Sequence, residues 1–328
     1  LPLQLTLSAA QITDPGYRHA GDLQFSQAIT RDFAQMHASP NAALGSELGG
    51  ILSDNDPRFT TQSLASYQTL NFAKLKTDIA DRLDHGALEI GLTGDLDETA
   101  AIAAVAKTFG ALPPREANFR PYTEQRSRQF TADHTPRIIR HTGPTDQALI
   151  RMTWATRDDS DPVAKQMFNL LGAIVQIETL ENLRQKLGKA YSPGARSDLS
   201  RIYRGYGTFA INATVDVKDV ALARAAMLET IAQLRDSPVS ADLITRARNP
   251  LLEGWDNSLK TNNGWAGLVA RAQSEADRLE RQVKAKERLL AVTPADIQTV
   301  AKKYLTTQGV VEVTVLPEEK PAAVKPGQ

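Results

Sequence analysis

The sequence predicts a mixed fold in which long helices alternate with half-buried strands. Residues 205–217 carry the clearest strand pattern, because apolar and polar side chains alternate along them and so fall on opposite faces. Residues 162–185 repeat apolar side chains at helical spacing, and Pro162 suits the first turn of such a helix. At 328 residues the chain is long enough for about two domains.

The composition argues against several classes of protein. The 38 basic residues equal the 38 acidic residues in number, so the basic excess typical of nucleic-acid and anionic-membrane binding is missing. No apolar run approaches the roughly 18 residues of a membrane span. The absence of cysteine excludes disulfides, thiolate catalysis and cysteine-based zinc sites. The missing cysteines and the leucine at position 1 lead us to expect a periplasmic or otherwise exported protein, with the cytoplasm as the alternative.

In the first third of the chain, the pattern predicts several helices and one half-buried strand. The strand is expected at 88–92, where Leu88, Ile90 and Leu92 alternate with smaller or polar residues. The helices are expected at 23–36, 41–52, 64–83 (in one or two pieces) and 98–109. Residues 115–136 are polar and contain prolines, and we interpret them as a linker.

The second part of the chain begins with a strand whose apolar side chains share one face: Ala148, Ile150, Met152 and Trp154. Helices are expected at 162–185, 220–235, 240–259, 267–290 and 293–305. A last strand is expected at 310–315, and the tail that follows it is expected to be disordered.

The order of helix, glycine and strand occurs twice, at 75–92 and at 297–315. Gly86 and Gly309 occupy the same place in each copy, which indicates two copies of one domain joined by the linker. Far fewer residues precede Gly86 than precede Gly309 within its own copy. We therefore expect the first copy to be truncated at its N terminus.

Residues 183–192 form the candidate functional site. Arg184 lies in the last turn of the predicted helix, and Tyr191 lies just beyond Gly188, which is expected to end that helix. A guanidinium and a phenol can then point into the same space. The alternative is structural, with Arg184 a cation favoured at a helix C terminus and Tyr191 a half-buried packing residue.

Other polar groups have simpler interpretations. His134 and His141 are expected at the surface. Residues 158–161 are rich in aspartate but lack the glycine and the final glutamate of a calcium loop, so we interpret them as a solvated turn that caps the next helix. Arg201, Tyr203 and Arg204 are expected to flank a strand and not to form a peptide- or RNA-binding surface.

Four segments resemble the C-terminal part of an M16-family zinc metallopeptidase, the family of insulinase, pitrilysin and the processing peptidases. They are Leu-Arg-x-Lys-x-Gly-x-Ala-Tyr-Ser at 183–192, Gly-Tyr-Gly-Thr-Phe at 205–209, and the segments 88–97 and 109–115. The resemblance implies α+β domains of the LuxS and processing-peptidase type, each with an antiparallel sheet backed by helices. The domains it implies are the C-terminal part of a first M16-like domain at 1–114, a linker at 115–136, a complete second M16-like domain at 137–317 and a disordered tail at 318–328.

The zinc site of that family has no counterpart in the sequence. The family binds zinc through an inverted His-x-x-Glu-His motif on a helix and a downstream glutamate. No two histidines of this chain have that spacing; they are His19, His37, His85, His134 and His141. We therefore expect no cofactor or metal in this chain, and zinc in the missing or partner half.

The resemblance implies the non-catalytic half or partner subunit of a zinc-dependent endopeptidase, inactive in proteolysis by itself. In the family, the residues that match Arg184 and Tyr191 reach across a chamber and hydrogen-bond the peptide backbone near the scissile bond. The expected partners are a zinc-bearing M16 half, upstream in the same chain or as a separate subunit, and a peptide substrate; a homodimer is left open. The alternative is a degenerate structural, assembly or peptide-binding subunit with no role in hydrolysis.

Overall fold

The computed structural model describes residues 1–188 and 192–319. These residues form two compact units, each built from three separate stretches of the chain. The first unit comprises Leu1–Arg31, Ser63–Tyr122 and Glu253–Lys284. The second unit comprises Asp32–Gln62, Thr123–Leu252 and the described residues from Ala285 onward. Of the tail expected at 318–328, residues 320–328 lie outside the described residues.

A five-stranded sheet lies in the second unit. Its strands are β1 (Arg137–His141), β2 (Gln147–Thr156), β3 (Gly194–Leu199), β4 (Gly207–Asp216) and β5 (Val310–Pro317). Their order across the sheet is β1-β5-β2-β4-β3. Neighbouring strands are antiparallel except β1 and β5, which are parallel.

The α+β class is confirmed, but the sheet is mixed and not wholly antiparallel. The reason lies in the short connection 142–146, around which β1 and β2 run in opposite directions. Strand β5 lies between them, so it must run parallel to one of the two.

Thirteen α-helices occur within the described residues. In chain order, α1 to α13 are Pro2–Thr13, His19–Gln35, Pro40–Ile51, Leu64–Gln68, Phe72–His85, Glu98–Thr108, Pro162–Leu187, Val220–Asp236, Ala241–Ser258, Asn262–Val269, Arg278–Val283, Ala285–Ala291 and Pro294–Tyr304. In this described part of the chain, no helix is long and apolar enough to cross a membrane.

The two faces of the sheet differ in what covers them. Helices α7, α8 and α13 pack on one face and form the main core. Four residues of β4 point into this core, as their alternation predicted: Phe209, Ile211, Ala213 and Val215. On the opposite face, α3 covers β1 and β5 with a smaller apolar cluster. Across β2, β4 and β3 that face carries Arg151, Thr153, Asn212 and Arg196, and we call these four residues the polar sheet face.

Three segments differ from the pattern of the sequence. The strand expected at 88–92 is not formed, because a strand needs a hydrogen-bonding neighbour and the described residues of the first unit contain no other strand. The helix expected at 267–290 is divided into α10, α11 and α12, since Arg271 takes a left-handed conformation (φ 62°) just after α10. Strand β3 was not expected, because it is a short edge strand without a clear alternation of burial.

Candidate functional site

Helix α7 carries Arg184 in its last turn. At the other end, Asp161 accepts hydrogen bonds from the backbone N–H groups of Val163 and Ala164, at 2.9 and 3.2 Å. Gly188 ends the helix in the left-handed conformation (φ 63°), and its N–H donates to the carbonyl of Arg184 at 2.9 Å. The predicted helix, its aspartate cap and its glycine stop are all confirmed.

Side-chain contacts fix the orientation of the last two turns of α7. Three of them tie these turns to α8 and α9: Glu181 with Arg246, Asn182 with Thr230, and Lys186 with Glu229. Leu183 is fully buried in the core. Because successive residues of a helix are about 100° apart, Arg184 points about 200° away from Asn182 and so lies on the side of α7 opposite α8.

Arg184 is exposed, and no residue among 1–188 and 192–319 forms a hydrogen bond or ion pair with its guanidinium. Tyr191 lies outside the described residues, as do residues 189 and 190. The proximity of Arg184 and Tyr191 therefore stays a prediction. The described structure places the Arg184 cation in the last turn of α7, ten residues before β3 begins at Gly194.

The register of the sheet brings the polar sheet face together from three strands. Two neighbouring rows across β2, β4 and β3 are Arg151–Asn212–Gly194 and Thr153–Ala210–Arg196. Arg151 donates from Nε to Thr153 Oγ1 at 3.2 Å and from Nη1 to Asn212 Oδ1 at 3.5 Å. Both acceptors are neutral, and within the described residues no carboxylate pairs with Arg151.

Arg151 is a cation in a poorly solvated position. Burial, with a smaller contribution from the positive charge of Arg196, lowers the pKa of its guanidinium to about 10. Reasoning from the sequence missed this residue. The available signal was a single charged side chain inside the otherwise apolar run 148–152.

A family comparison adds to this geometry. Residues 70–251, more than half of the chain, match the family model described as the peptidase M16 inactive domain. The chain belongs to this family. The matched stretch contains α7, the polar sheet face and all four segments that resembled M16 peptidases, so that resemblance is confirmed.

Solved structures with the same fold include three bacterial proteins. The peptidase M16 inactive domain from Pseudomonas fluorescens is 18% identical, with 97% of this chain and 76% of that chain covered and a TM-score of 0.76. A protease from Helicobacter pylori is 14% identical, with 98% and 77% covered and a TM-score of 0.74. The periplasmic protease PqqL from Escherichia coli is 12% identical, with 90% and 33% covered and a TM-score of 0.65. No curated protein matches the chain.

The residues of this M16 inactive domain do not fit the zinc site of an active M16 peptidase. Within the described part of the chain, no three His, Asp or Glu side chains are grouped closely enough to hold a metal ion. His141, expected at the surface, is fully buried because it alternates inward with Ile139 on β1. Its Nδ1 accepts from the Gly143 N–H, so Nε2 carries the proton and donates to the carbonyl of Gln147.

Proposed function

We propose that this chain is the non-catalytic half, or a partner subunit, of a zinc-dependent M16 endopeptidase. It closes the chamber in which peptides are cleaved and presents Arg184 and Tyr191 to the bound peptide. The observation that carries the proposal is the exposed guanidinium of Arg184, free of partners among the described residues, at the end of a helix inside the M16 inactive domain.

In this proposal the contribution of the chain to catalysis is electrostatic. Arg184 offers a rigid fork of N–H donors, and Tyr191 offers one phenolic O–H. Aimed at the carbonyl of the scissile bond, these donors stabilise the negative charge that develops on its oxygen when the bond is attacked. The loss of one such donor typically lowers kcat by about 100- to 1000-fold. The zinc ion is bound by the other half, whose ligands this chain does not supply.

An apolar cavity on the first unit supports the proposal of a zinc-bearing partner. A cavity of about 600 Å³ is lined by apolar side chains from residues 90–96 and α6, among them Ile90, Leu92 and Ile102. Ile102 is 61% exposed, so a partner that covers the cavity would bury apolar surface. We propose that 1–114 is the end of a first M16-like domain and that strands of the zinc-bearing half pair with 88–92 and cover this cavity. In the same scheme 115–136 is the linker and 137–317 the complete second domain.

An exported location fits the proposal as well. The solved structure from Escherichia coli is by name that of a periplasmic protease. The absence of cysteine is compatible with an oxidising compartment, where unpaired thiols are vulnerable to oxidation. Fractionation of the native cells, with the chain detected by antibody beside a periplasmic and a cytoplasmic marker, tests this location directly.

Reconstituted peptide cleavage tests the proposed function. The chain is mixed with the M16 half of the same organism that carries the His-x-x-Glu-His motif, and kcat and KM are measured on a fluorogenic peptide. We expect Arg184→Ala to lower kcat by about 100-fold and Tyr191→Phe to lower it by a smaller factor. Gln185→Ala, an exposed neighbour on the same turn, is the matched control and should leave kcat unchanged.

A different result would favour the alternative function. If cleavage requires the chain but both variants keep the kcat/KM of the wild type, the chain has no direct part in hydrolysis. It would then be a structural or assembly subunit that only completes the chamber.

A further inference from the structure

We propose that the polar sheet face binds a carboxylate of a peptide, held between Arg151 and Arg196. The proposal depends on the function proposed above only in taking the ligand to be a peptide. All the residues that carry it belong to the second unit and lie in the described part of the chain.

Arg151 and Arg196 lie on the same face of the sheet on either side of β4, close enough for the charge of Arg196 to lower the pKa of Arg151. Arg151 stands on β2 and Arg196 on β3, in neighbouring rows of the sheet. Since adjacent strands are about 4.8 Å apart, the two backbones are about 10 Å apart across β4. The residue between them on β4 is Ala210, whose small side chain is itself buried, so a ligand held by both guanidinium groups lies on their outer, solvent-facing side.

The hydrogen-bonding groups that Arg151 and Asn212 offer to a ligand are almost all donors. Arg151 uses its Nε–H on Thr153 and makes only a long contact to Asn212, so most of its N–H groups remain for a ligand. The Asn212 Oδ1 faces Arg151, which leaves its NH₂ group as a further donor. Gly194 keeps that amide accessible, because a Cβ at this position would lie 3.1 Å from Asn212 Oδ1.

Among residues 1–188 and 192–319, no acidic side chain pairs with Arg151 or Arg196. Arg151 is largely desolvated, Arg196 adds a second positive charge, and burial of an unpaired charge is costly. The nearest acid in sequence on this face is Asp198, which is exposed on β3 and forms no ion pair with either arginine in the described structure. A carboxylate between the two guanidinium groups would remove their mutual repulsion and accept paired N–H donors.

Two parts of a peptide offer this planar anion: the side chain of Asp or Glu, and the free C-terminal carboxylate. Both present the same two oxygens to the donors of Arg151, Arg196 and Asn212. Peptides that differ in only one of these groups can therefore distinguish the two sources.

Binding to the purified chain tests the proposal without any need for cleavage. Fluorescence anisotropy is measured with labelled peptides of one sequence: internal Glu with an amidated C terminus, internal Gln with a free C terminus, and internal Gln with an amidated C terminus. We expect one of the two charged peptides to bind about tenfold more tightly than the neutral one, the effect of a charge-assisted hydrogen bond. The peptide that shows the gain identifies the source of the carboxylate.

Variants of the chain locate the binding site. Arg196 is exposed, so Arg196→Gln should leave the fold intact and remove the preference for the charged peptide, as should Arg151→Met. Lys302→Gln is the matched control, because it removes one exposed positive charge from α13, on the other face of the sheet. The proposal is overturned if the wild type shows no charge-dependent binding, or if Lys302→Gln loses as much as Arg196→Gln. Either result leaves the proposed role of Arg184 in cleavage untouched.

Discussion

Replacing Arg151 with methionine should make the ligand-free chain more stable, although the residue lies in the middle of the sheet. Burial lowers the pKa of its guanidinium from its ordinary value to about 10, so the folded state disfavours the charged form. The difference between these two values corresponds to about 3 kcal/mol at neutral pH. The hydrogen bonds to Thr153 and Asn212 offset part of it, about 1 to 2 kcal/mol for the two. The expected gain in the free energy of unfolding is therefore about 1 to 2 kcal/mol.

The sign of the pH dependence follows from the same pKa. The charged guanidinium destabilises the folded chain fully at any pH below about 10, where it is protonated in both the folded and the unfolded state. The penalty is relieved only as the pH rises above 10 and the folded form loses its proton. The gain from Arg151→Met should thus be constant across the neutral range.

Urea unfolding measures this gain. Trp154 is buried in the core of the second unit, so its fluorescence reports on that unit once Trp255 and Trp265 are replaced by phenylalanine. In this background Arg151→Met should raise the urea midpoint without a change in slope.

The matched control is Arg224→Met, in which the lost guanidinium is paired with Glu312 at 2.6 Å. Removal of this ion pair should lower the free energy of unfolding by up to about 1 kcal/mol. If Arg151→Met also lowers it by about 1 kcal/mol or more, the hydrogen bonds of Arg151 outweigh its desolvation. The carboxylate site would then lose its electrostatic basis.

Two further predictions concern the end of α7 and a charged loop of the second unit. Gly188→Ala should lower the free energy of unfolding by about 1 to 2 kcal/mol in the same assay, because Gly188 has a left-handed backbone. The control is Gly45→Ala, inside α3 with open space around the new Cβ, which should raise it by up to about 1 kcal/mol. No change in stability for Gly188→Ala would contradict the left-handed helix end. The side-chain and backbone hydrogen bonds from Arg58 lower the pKa of Asp56 from 3.8 to about 2, so this stabilisation is present above pH 3.8 and is lost as the pH falls toward 2. Asp56→Asn should therefore be less stable than the wild type at about pH 6 and equal to it near pH 2, and a difference that is the same at both values would refute the linkage.

The ends of the helices could be predicted from the sequence because each has a local cause. Asp161 and Gly188 act within one turn of α7, and Thr293 with Asp296 forms a capping box at the start of α13. The inward face of β4 could be predicted equally well, because alternation over ten residues is visible without knowledge of the neighbouring strands.

The polar sheet face could not be predicted, because it depends on how distant strands align. Arg151 gains its significance from its position opposite Asn212 and diagonal to Arg196, residues that the sequence places far from it. A shift of one residue in the register of β2 would turn its side chain to the other face. The same limit applies to His141, which a polar context suggested was exposed and which β1 turns into the core.

The two segments of the helix–glycine–strand repeat show why a pattern alone does not make a strand. Residues 310–315 lie in β5, which has β1 on one side and β2 on the other. Residues 88–92 have the same alternation, but within the described residues of their own unit no strand is available to pair with them. Periodicity therefore specifies which face of a segment is apolar, while the hydrogen-bonding partner decides whether it becomes a strand. The missing strand partner is also why we propose that another M16 half pairs with residues 88–92.

Arg184 and Arg151 support functional proposals for opposite physical reasons. Arg184 is exposed at a helix C terminus, where a cation is favourable in any case, so its proposed role rests on this exposed position together with the family match. Arg151 occupies a position whose burial disfavours its charge, and this is the reason for the proposed counter-ion. Loss of Arg184 should lower stability by less than about 1 kcal/mol and affect the rate of cleavage, whereas loss of Arg151 should raise stability and affect which peptides bind. Stability and peptide binding, both measured on this chain alone, therefore separate the two proposed roles.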